Sequence, residues 1–360
     1  MKGSLSQYFI SPNLTVKEAI EKISENGKKA VFIVDNQQKL LGIFTDGDMR
    51  KFLLSNGDLT SLVKDFMNTS PVKLFSNDED NFSSIICSTQ HIIYPIVDET
   101  NKIVGAVFWN EIKEILKDNP SFKLPKDIHT VIMAGGLGKR LYPYTKVLPK
   151  ALIPIGEYPI CTRVINNFKK YGCQNFDLIL NHKKNMIKAY YTEEDKDYNI
   201  FFHEEREFLG TAGGLALLKG KMKDTFFVSN CDILVDADYS CIYKFHKKEK
   251  NLITIIGALK DIQIPYGVIH VKGEESAINN IEEKPKFSFL TNVGLYIIEP
   301  EVVENLKDNQ FIHMTDLVDQ YIAQNKKIGV FPISGDDWLD MGQIEEMKQM
   351  TAVLEKKVEK

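Results

Sequence analysis

A glycine-rich turn stands directly behind an apolar run. The run is His129-Thr130-Val131-Ile132-Met133-Ala134, followed by Gly135-Gly136-Leu137-Gly138-Lys139-Arg140 and, shortly after, Pro149-Lys150. Glycines let a backbone turn sharply and approach phosphate closely, presenting N–H groups as anion donors. Two well-known phosphate motifs are excluded. A dinucleotide G-x-G-x-x-G begun at Gly136 would need glycine where Leu141 stands, and no G-x-x-x-x-G-K-[ST] string occurs in the chain. What remains is a strand end, a glycine turn and two cations, Arg140 and Lys150, which together read as a polyphosphate site.

Two acids could complete such a site. Asp232 closes the apolar run Phe226-Phe227-Val228-Ser229-Asn230-Cys231-Asp232, and Asp340 lies in Trp338-Leu339-Asp340-Met341-Gly342. A loop aspartate capping a backbone N–H accounts for either one taken singly. Taken with the phosphate turn, the pair suits Mg²⁺, which is held by one or two carboxylates plus phosphate oxygens and water. The histidines show no metal-ligand spacing and read as surface or packing residues, with His182 the exception nearest the turn.

The elements that must position these residues follow from the pattern. Apolar strands (TVIMA, FDLILN, DTFFVSN, LITIIGAL) alternate with amphipathic helical stretches from about Ile128 onward. That is the signature of an α/β fold around a mostly parallel sheet, here predicted over residues 128–360. Gly342–Lys360 reads as a helix. The Pro/Lys-rich stretch 117–127 reads as a linker, its core at 121–127. Ahead of it lies a repeat, roughly 1–62 and 63–120. Val34-Asp35 recurs as Val97-Asp98 and Gly42 as Gly105, both 63 residues on. Each copy predicts two β runs around a polar turn, preceded by a helix (Thr15–Glu25 and Asp78–Thr89), with Thr15 and Glu18 forming a capping box. Units this small pack against a twin to bury one core.

The composition is that of a soluble globular protein, with a net charge of −4 that argues against a nucleic-acid binder. No apolar run is long enough for a membrane span, and the first residues lack the apolar core of a signal peptide. Five cysteines without a C-x-x-C pair predict reduced thiols. A cytoplasmic protein with neither membrane nor nucleic-acid partner is expected.

The repeat resembles a tandem pair of cystathionine-β-synthase (CBS) domains. In that family G-h-h-T-x-x-D places a threonine and an aspartate on the ribose of an adenine nucleotide. Gly42-Ile43-Phe44-Thr45-Asp46-Gly47-Asp48 matches, so the resemblance implies a nucleotide at Thr45 and Asp48. The second copy has Phe108 in place of the threonine. The plainer reading of Thr45 and Asp48 is a helix N-cap, since both residue types favour that position. The resemblance also implies a homodimer through the CBS pair.

The glycine turn resembles the signature AGGxGxRL…T…PK of the sugar-1-phosphate nucleotidyltransferases, the nucleoside-diphosphate-sugar pyrophosphorylases. Ala134 to Leu141, Thr145, Pro149 and Lys150 carry the match. The resemblance implies a Rossmann-like fold and the reaction NTP plus sugar 1-phosphate giving NDP-sugar and pyrophosphate. Arg140, Lys150, Asp232 and Asp340 become the catalytic set. Asp232 and Asp340 hold Mg²⁺, and Ala134, Gly135, Gly136 and Gly138 bind nucleotide. Further segments agree in order. Glu283-Lys284-Pro285 matches the family's E-K-P motif, where glutamate contacts sugar hydroxyls and lysine the sugar phosphate, although composition alone reads a solvated charge run. Gly267, Asn292 and Gly294 match positions facing the sugar.

Leu209-Gly210-Thr211-Ala212-Gly213-Gly214 resembles the L-G-T-A-G segment common in guanylyltransferases, which puts Gly210, Thr211 and Gly213 at the nucleotide. By register, Glu205 falls where pyrimidine-using relatives place glutamine. Guanine offers N1–H and N2–H₂ along one edge, and a carboxylate can accept both, so GTP is the expected donor. A surface glutamate in the acidic run HEERE is the plainer reading. CBS repeats joined to such a transferase resemble enzymes of bacterial surface-sugar pathways, including legionaminic acid biosynthesis. That implies glucosamine 1-phosphate or N-acetylglucosamine 1-phosphate as acceptor. Two alternatives stay open: the same reaction with UTP, CTP or dTTP and another sugar 1-phosphate, or a nucleotide sensor whose transferase domain no longer catalyses.

Overall fold

The computed structural model describes residues 5–26, 30–45, 48–49, 52, 58–89, 91, 93–108, 111, 123–271 and 278–358. The chain divides into two compact units, Met1–Pro120 and Ser121–Lys360. Positions 117–122 of the expected linker, with Asp46, Gly47, Trp109 and Asn110 of the two repeat motifs, lie outside the described residues.

In the first unit, β1 (Phe9–Ile10), β2 (Ala30–Val34) and β3 (Leu40–Thr45) form one sheet. β4 (Leu74–Phe75), β5 (Ile93–Val97) and β6 (Ile103–Phe108) form another in the same order. Both begin with a parallel pair and end with an antiparallel one. Even the register shifts correspond, falling at Ile33/Val34 and Ile96/Val97. The hairpin tips are built alike. Asp35 Oδ1 accepts from Gln37 and Lys39 N–H, and Asp98 Oδ1 from Thr100 and Lys102 N–H, while Gln38 and Asn101 take left-handed φ of 64° and 65°. The tips then exchange bonds reciprocally: Leu40 N–H to Asn101 O at 2.9 Å, and Ile103 N–H to Gln38 O at 3.1 Å. A local twofold therefore relates the copies. Ala30, Val34 and Leu40 share one core with their counterparts Ile93, Val97 and Ile103.

The first helix spans Val16–Asn26 behind Thr15, whose N–H and hydroxyl both reach the Glu18 carboxylate while Glu18 N–H returns to Thr15 Oγ1. This is the capping box read from the sequence. The second helix spans Phe82–Thr89 and starts later than expected, because residues Glu79–Asn81 form a tighter 3₁₀ turn.

The second unit holds a seven-stranded sheet. Its strands are β7 (His129–Met133), β10 (Asn175–Leu180), β11 (Asn199–Glu204), β12 (Phe226–Asn230), β14 (Ile253–Gln263), β17 (Lys286–Ile298) and β18 (Ile328–Ser334). They run in the order β11-β10-β7-β12-β17-β14-β18, and only β17 runs against its neighbours. The sheet is thus mostly parallel, as the alternating pattern predicts. Strands β7, β10 and β12 are buried along most of their length, which fits near-continuous apolar runs covered on both faces. Val131, Phe226, Val228 and Ile298 join Leu215, Leu317 and Tyr321 in the core, each fully buried large side chain contributing about 1.5–3 kcal/mol. Asp177 is buried within the sheet and accepts from His129 Nδ1 at 2.6 Å and His203 Nε2 at 2.7 Å. Burial alone would raise its pKa, but the two imidazoles hold it below the ordinary value.

Three short pairs stand apart from the sheet. They are β8 (Pro154–Ile155) with β9 (Tyr158–Pro159), β13 (Ile233–Val235) with β19 (Trp338–Asp340), and β15 (Gly267–Val271) with β16 (Ile278–Glu283). The C-terminal helix spans Ile344–Val358. Among the described residues no helix is long and apolar enough to cross a membrane.

Candidate active site

β7 ends at Met133 and the chain turns at once. Ala134 N–H reaches Ile179 O at 2.9 Å, and Gly135 O accepts from His182 N–H at 3.3 Å. A Cβ on Gly135 would lie 2.9 Å from Glu205 Oε2. Gly138 is left-handed (φ 62°), and a Cβ there would lie 2.8 Å from Thr145 Cγ2 and 3.3 Å from Lys150 Cβ. Thr145 Oγ1 donates to Gly138 O at 2.9 Å. Two glycines of the turn are therefore demanded by close packing. Gly136 differs: no atom lies within 4 Å of where its Cβ would stand, so its backbone is open to a ligand. Arg140 is exposed beside it.

Lys150 and Asp232 meet as an ion pair, both largely buried. Asp232 follows β12, the strand next to β7, and Lys150 opens the 3₁₀ turn Lys150–Leu152 on the chain that leaves β7 through the glycine turn. Asp340 joins them through a second pairing. Ile233 stands opposite Asp340 in the β13–β19 ladder, and Met341 N–H donates to Asp232 O at 2.9 Å. Residues more than a hundred positions apart are thus fixed side by side. The charges bear this out. Burial alone would push the Lys150 ammonium down, but the Asp232 carboxylate, joined by Cys231 and Asp340, holds its pKa above the ordinary lysine value. Asp340 is pushed up to about 6, first by burial, then by the charges of Asp232 and Glu346.

This arrangement suits a divalent cation. Several acids converge on one ammonium, and the strain shows in the raised Asp340. Among the described residues no group of three or more His, Cys, Asp or Glu forms a metal cage. Mg²⁺ needs none, since it binds through one or two carboxylates and takes its other oxygens from phosphate and water.

Glu205 follows β11 and is only 3% exposed. It sits between two glycines. Cβ atoms on Gly135 and Gly214 would lie 2.9 Å from Oε2 and 2.5 Å from Oε1 respectively. Oε1 has no hydrogen-bond partner. Burial pushes its pKa up to about 7, offset in part by the Leu209 backbone N–H. The plainer reading of Glu205 as a surface residue of an acidic run therefore fails, because the end of β11 turns it inward beneath the glycine turn.

The other expected residues are placed differently. Gly210 (φ 83°) and Gly213 are pressed against chain: Cβ atoms there would lie 2.4 Å from Ile312 O and 2.2 Å from Gln310 O. Thr211 Oγ1 accepts from Met314 N–H at 2.9 Å. Packing against residues 310–314 accounts for all three. Gly294 (φ 84°) lies on β17 where its register with β14 shifts, and a Cβ would strike the Asn230 side chain, two residues before Asp232. Asn292 Oδ1 accepts from Gly294 N–H at 2.9 Å, and Gly294 in turn packs on Asn230, the last residue of β12. Gly267 and Glu283 pair across β15–β16, outside the main sheet. Lys284 follows with φ 50° and a side chain 58% exposed, 3.9 Å from Glu283 Oε1.

In the first unit, Thr45 and Asp48 bond each other. Thr45 N–H and hydroxyl reach Asp48 Oδ2 at 3.0 and 2.7 Å, and Asp48 N–H returns to Thr45 Oγ1 at 3.3 Å. In the second copy Phe108 N–H donates to Glu111 Oε2 at 3.1 Å, the counterpart of the Thr45 N–H bond.

Two residues near the acids escaped the sequence reading. Glu346 Oε2 has no hydrogen-bond partner and lies, like Asp340 Oδ2, about 3 Å from where a Gly342 Cβ would stand. Asn230 fills the space left by Gly294. Glu346 reads as one more charge on a solvated helix, and nothing in its neighbours marks it out. Asn230 could have been found as the polar residue ending the same strand as Asp232.

Comparison with known proteins agrees with this layout. A family model described as Nucleotidyl transferase matches residues 129–357, and one described as CBS domain matches residues 6–55. Mannose-1-phosphate guanyltransferase of Aspergillus fumigatus is 32% identical over 225 residues, covering 59% of this chain and 60% of that protein. The protein of the same name from Saccharomyces cerevisiae is 32% identical over 224 residues, covering 59% and 61%. The chain thus spans about 60% of the length of these relatives. The crystal structure of HddC from Yersinia pseudotuberculosis shares the fold, with TM-score 0.50 and 22% identity over 63% of this chain and 99% of that one.

Proposed function

The chain belongs to the Nucleotidyl transferase family, and we propose that it transfers a nucleoside monophosphate from an NTP to a sugar 1-phosphate. The observation that carries this reading is the gathering of Lys150, Asp232 and Asp340 beside a glycine turn with one open backbone position. In the proposed reaction a phosphate oxygen of the sugar 1-phosphate attacks the α-phosphorus. A new P–O bond forms, the bond to the β-phosphate oxygen breaks, and pyrophosphate leaves with the electron pair. The sugar phosphate is already a nucleophile at neutral pH, so the chain need only align two anions and screen their repulsion. The Gly135–Gly138 turn donates N–H groups to phosphate, Arg140 covers it from the exposed side, and Lys150 turns its ammonium from Asp232 toward a phosphate oxygen. Asp232 and Asp340 would hold Mg²⁺, whose chemistry is neutralisation of charge on the transferring phosphoryl group. Gly267, Glu283, Lys284, Asn292 and Gly294 are assigned to the sugar phosphate.

GTP is the proposed donor. Glu205 supports it, because a buried carboxylate with an unmet acceptor is matched by guanine N1–H and N2–H₂. The names of the relatives, mannose-1-phosphate guanyltransferases, point the same way. For the acceptor, the pairing of CBS repeats with a transferase motivates glucosamine 1-phosphate or N-acetylglucosamine 1-phosphate, in bacterial surface-sugar (legionaminic acid) biosynthesis. The same names favour a second reading, mannose 1-phosphate. A cytoplasmic location, a homodimer through the N-terminal unit and an adenine nucleotide at Thr45 and Asp48 belong to the proposal.

The test is a matrix of GTP, UTP, CTP and dTTP against these three sugar 1-phosphates, with pyrophosphate release measured with and without Mg²⁺. Release is expected only with the metal and fastest with GTP. No release from any pair above a no-enzyme control would overturn the reading, and a faster rate with UTP would overturn the base assignment.

A further inference from the structure

Lys183 is a lysine that spends its charge on backbone. Its Nζ donates to Thr145 O at 2.9 Å and to Lys146 O at 2.6 Å. Those carbonyls lie in the one-turn helix Tyr144–Val147, between the glycine turn and Lys150. A helix end leaves carbonyls without intrahelical partners, and a cation is the strongest donor that can satisfy two of them at once. Lys183 reaches them from a left-handed backbone (φ 51°, ψ 32°), an unfavourable conformation for a residue with a side chain. Strain of this kind persists where surrounding structure holds it, and it gathers at functional sites.

Its neighbours grip the other end of the same turn. His182 N–H donates to Gly135 O at 3.3 Å, and a Cβ on Gly135 would lie 3.1 Å from Asn181 Cβ. At the far end, Thr145 is 2% exposed and donates to Gly138 O, and Gly138 packs on Thr145 Cγ2 and Lys150 Cβ. Residues 181–183 therefore touch the glycine turn at its first glycine and, through Thr145, at its last glycine and at Lys150.

We infer that Lys183 is a positioning residue for the nucleoside triphosphate, a clasp that sets Gly138 and Lys150 before the ligand arrives. The inference rests on the proposed phosphate site and adds to it a residue outside the family signature. Without the clasp, the Thr145–Lys146 carbonyls lose their donor, the turn loosens, and phosphate binding must order it. The loss falls on the triphosphate, not on the sugar phosphate.

The experiment uses the full chain and three substitutions, K183M, K183R and K184M. Lys184 pairs with Glu204 at 2.7 Å on the surface and serves as the charge control. The Kd for Mg·GTP is measured by calorimetry, and KM for GTP and for sugar 1-phosphate is measured where turnover occurs. K183M is expected to weaken Mg·GTP about tenfold or more while KM for the sugar phosphate stays within about twofold; K183R restores most of the loss and K184M changes little. Equal Kd in wild type and K183M overturns the clasp, as does an equal rise in both KM values accompanied by nothing but a lower melting temperature. A wild type that binds GTP but does not turn over sinks the proposed reaction and leaves the clasp decidable from Kd alone. A wild type that neither binds nor turns over any nucleoside triphosphate overturns both.

Discussion

Thr45–Asp48 in the first unit and Lys150–Asp232–Asp340 in the second use similar residue types to opposite ends. Thr45 and Asp48 satisfy each other through three hydrogen bonds. Around Asp340 the acids are crowded and its pKa is driven to about 6, while Glu346 Oε2 and Glu205 Oε1 remain without partners. One cluster closes a local turn, and the other holds interaction capacity in reserve. Buried polar groups are normally satisfied, so unmet acceptors at Glu205 under Gly135 and at Glu346 near Asp340 mark where a ligand belongs.

Asp232→Asn removes a carboxylate from the metal pair and frees Lys150, and pyrophosphate release is expected to fall at least about a hundredfold. The same centre carries a pH signature. Asp340 is raised in the folded chain, so its protonated form is favoured there, and cation binding needs the ionised form. Mg²⁺ affinity should therefore weaken as pH falls below about 6, read as the Mg²⁺ concentration for half-maximal rate between pH 5 and 8. A pH-independent requirement would mean that Asp340 is not a ligand.

Glu205→Gln is expected to have the next largest effect, lowering kcat/KM for GTP relative to UTP by about ten- to a hundredfold. An unchanged ratio removes Glu205 as the base reader. The smallest effect is expected from Thr45→Ala, which breaks the reciprocal bonds in the first unit at a cost of about 0.5–2 kcal/mol in chemical denaturation. A nucleotide site in the first unit would show as a melting temperature that AMP or ATP raises for the wild type and not for Thr45→Ala. In that case Thr45 and Asp48 exchange their mutual bonds for ribose, and the first unit also holds a reserve.

Local signals were plain in the amino-acid order. The 63-residue repeat, the capping box at Thr15, the strand–glycine junction at Met133–Gly138 and the mostly parallel sheet are each written in neighbouring residues or in a short period. The glycines of Gly210–Gly213 were visible too, but their reason was not. They are packed against Gln310–Ile312, a hundred residues away, where any Cβ would collide with backbone.

The sequence by itself determined which elements form and that cations and acids suitable for phosphate chemistry exist, because hydrophobic period and turn propensity act over a few residues. Only the tertiary structure decided which of those charges meet. The β13–β19 ladder sets Asp340 beside Asp232, and the end of β11 buries Glu205 under Gly135. Residues 181–183 reach across to the turn before Lys150. A charge acquires its character from burial and from neighbours within a few ångströms, and the chain's fold, not its order, supplies those neighbours.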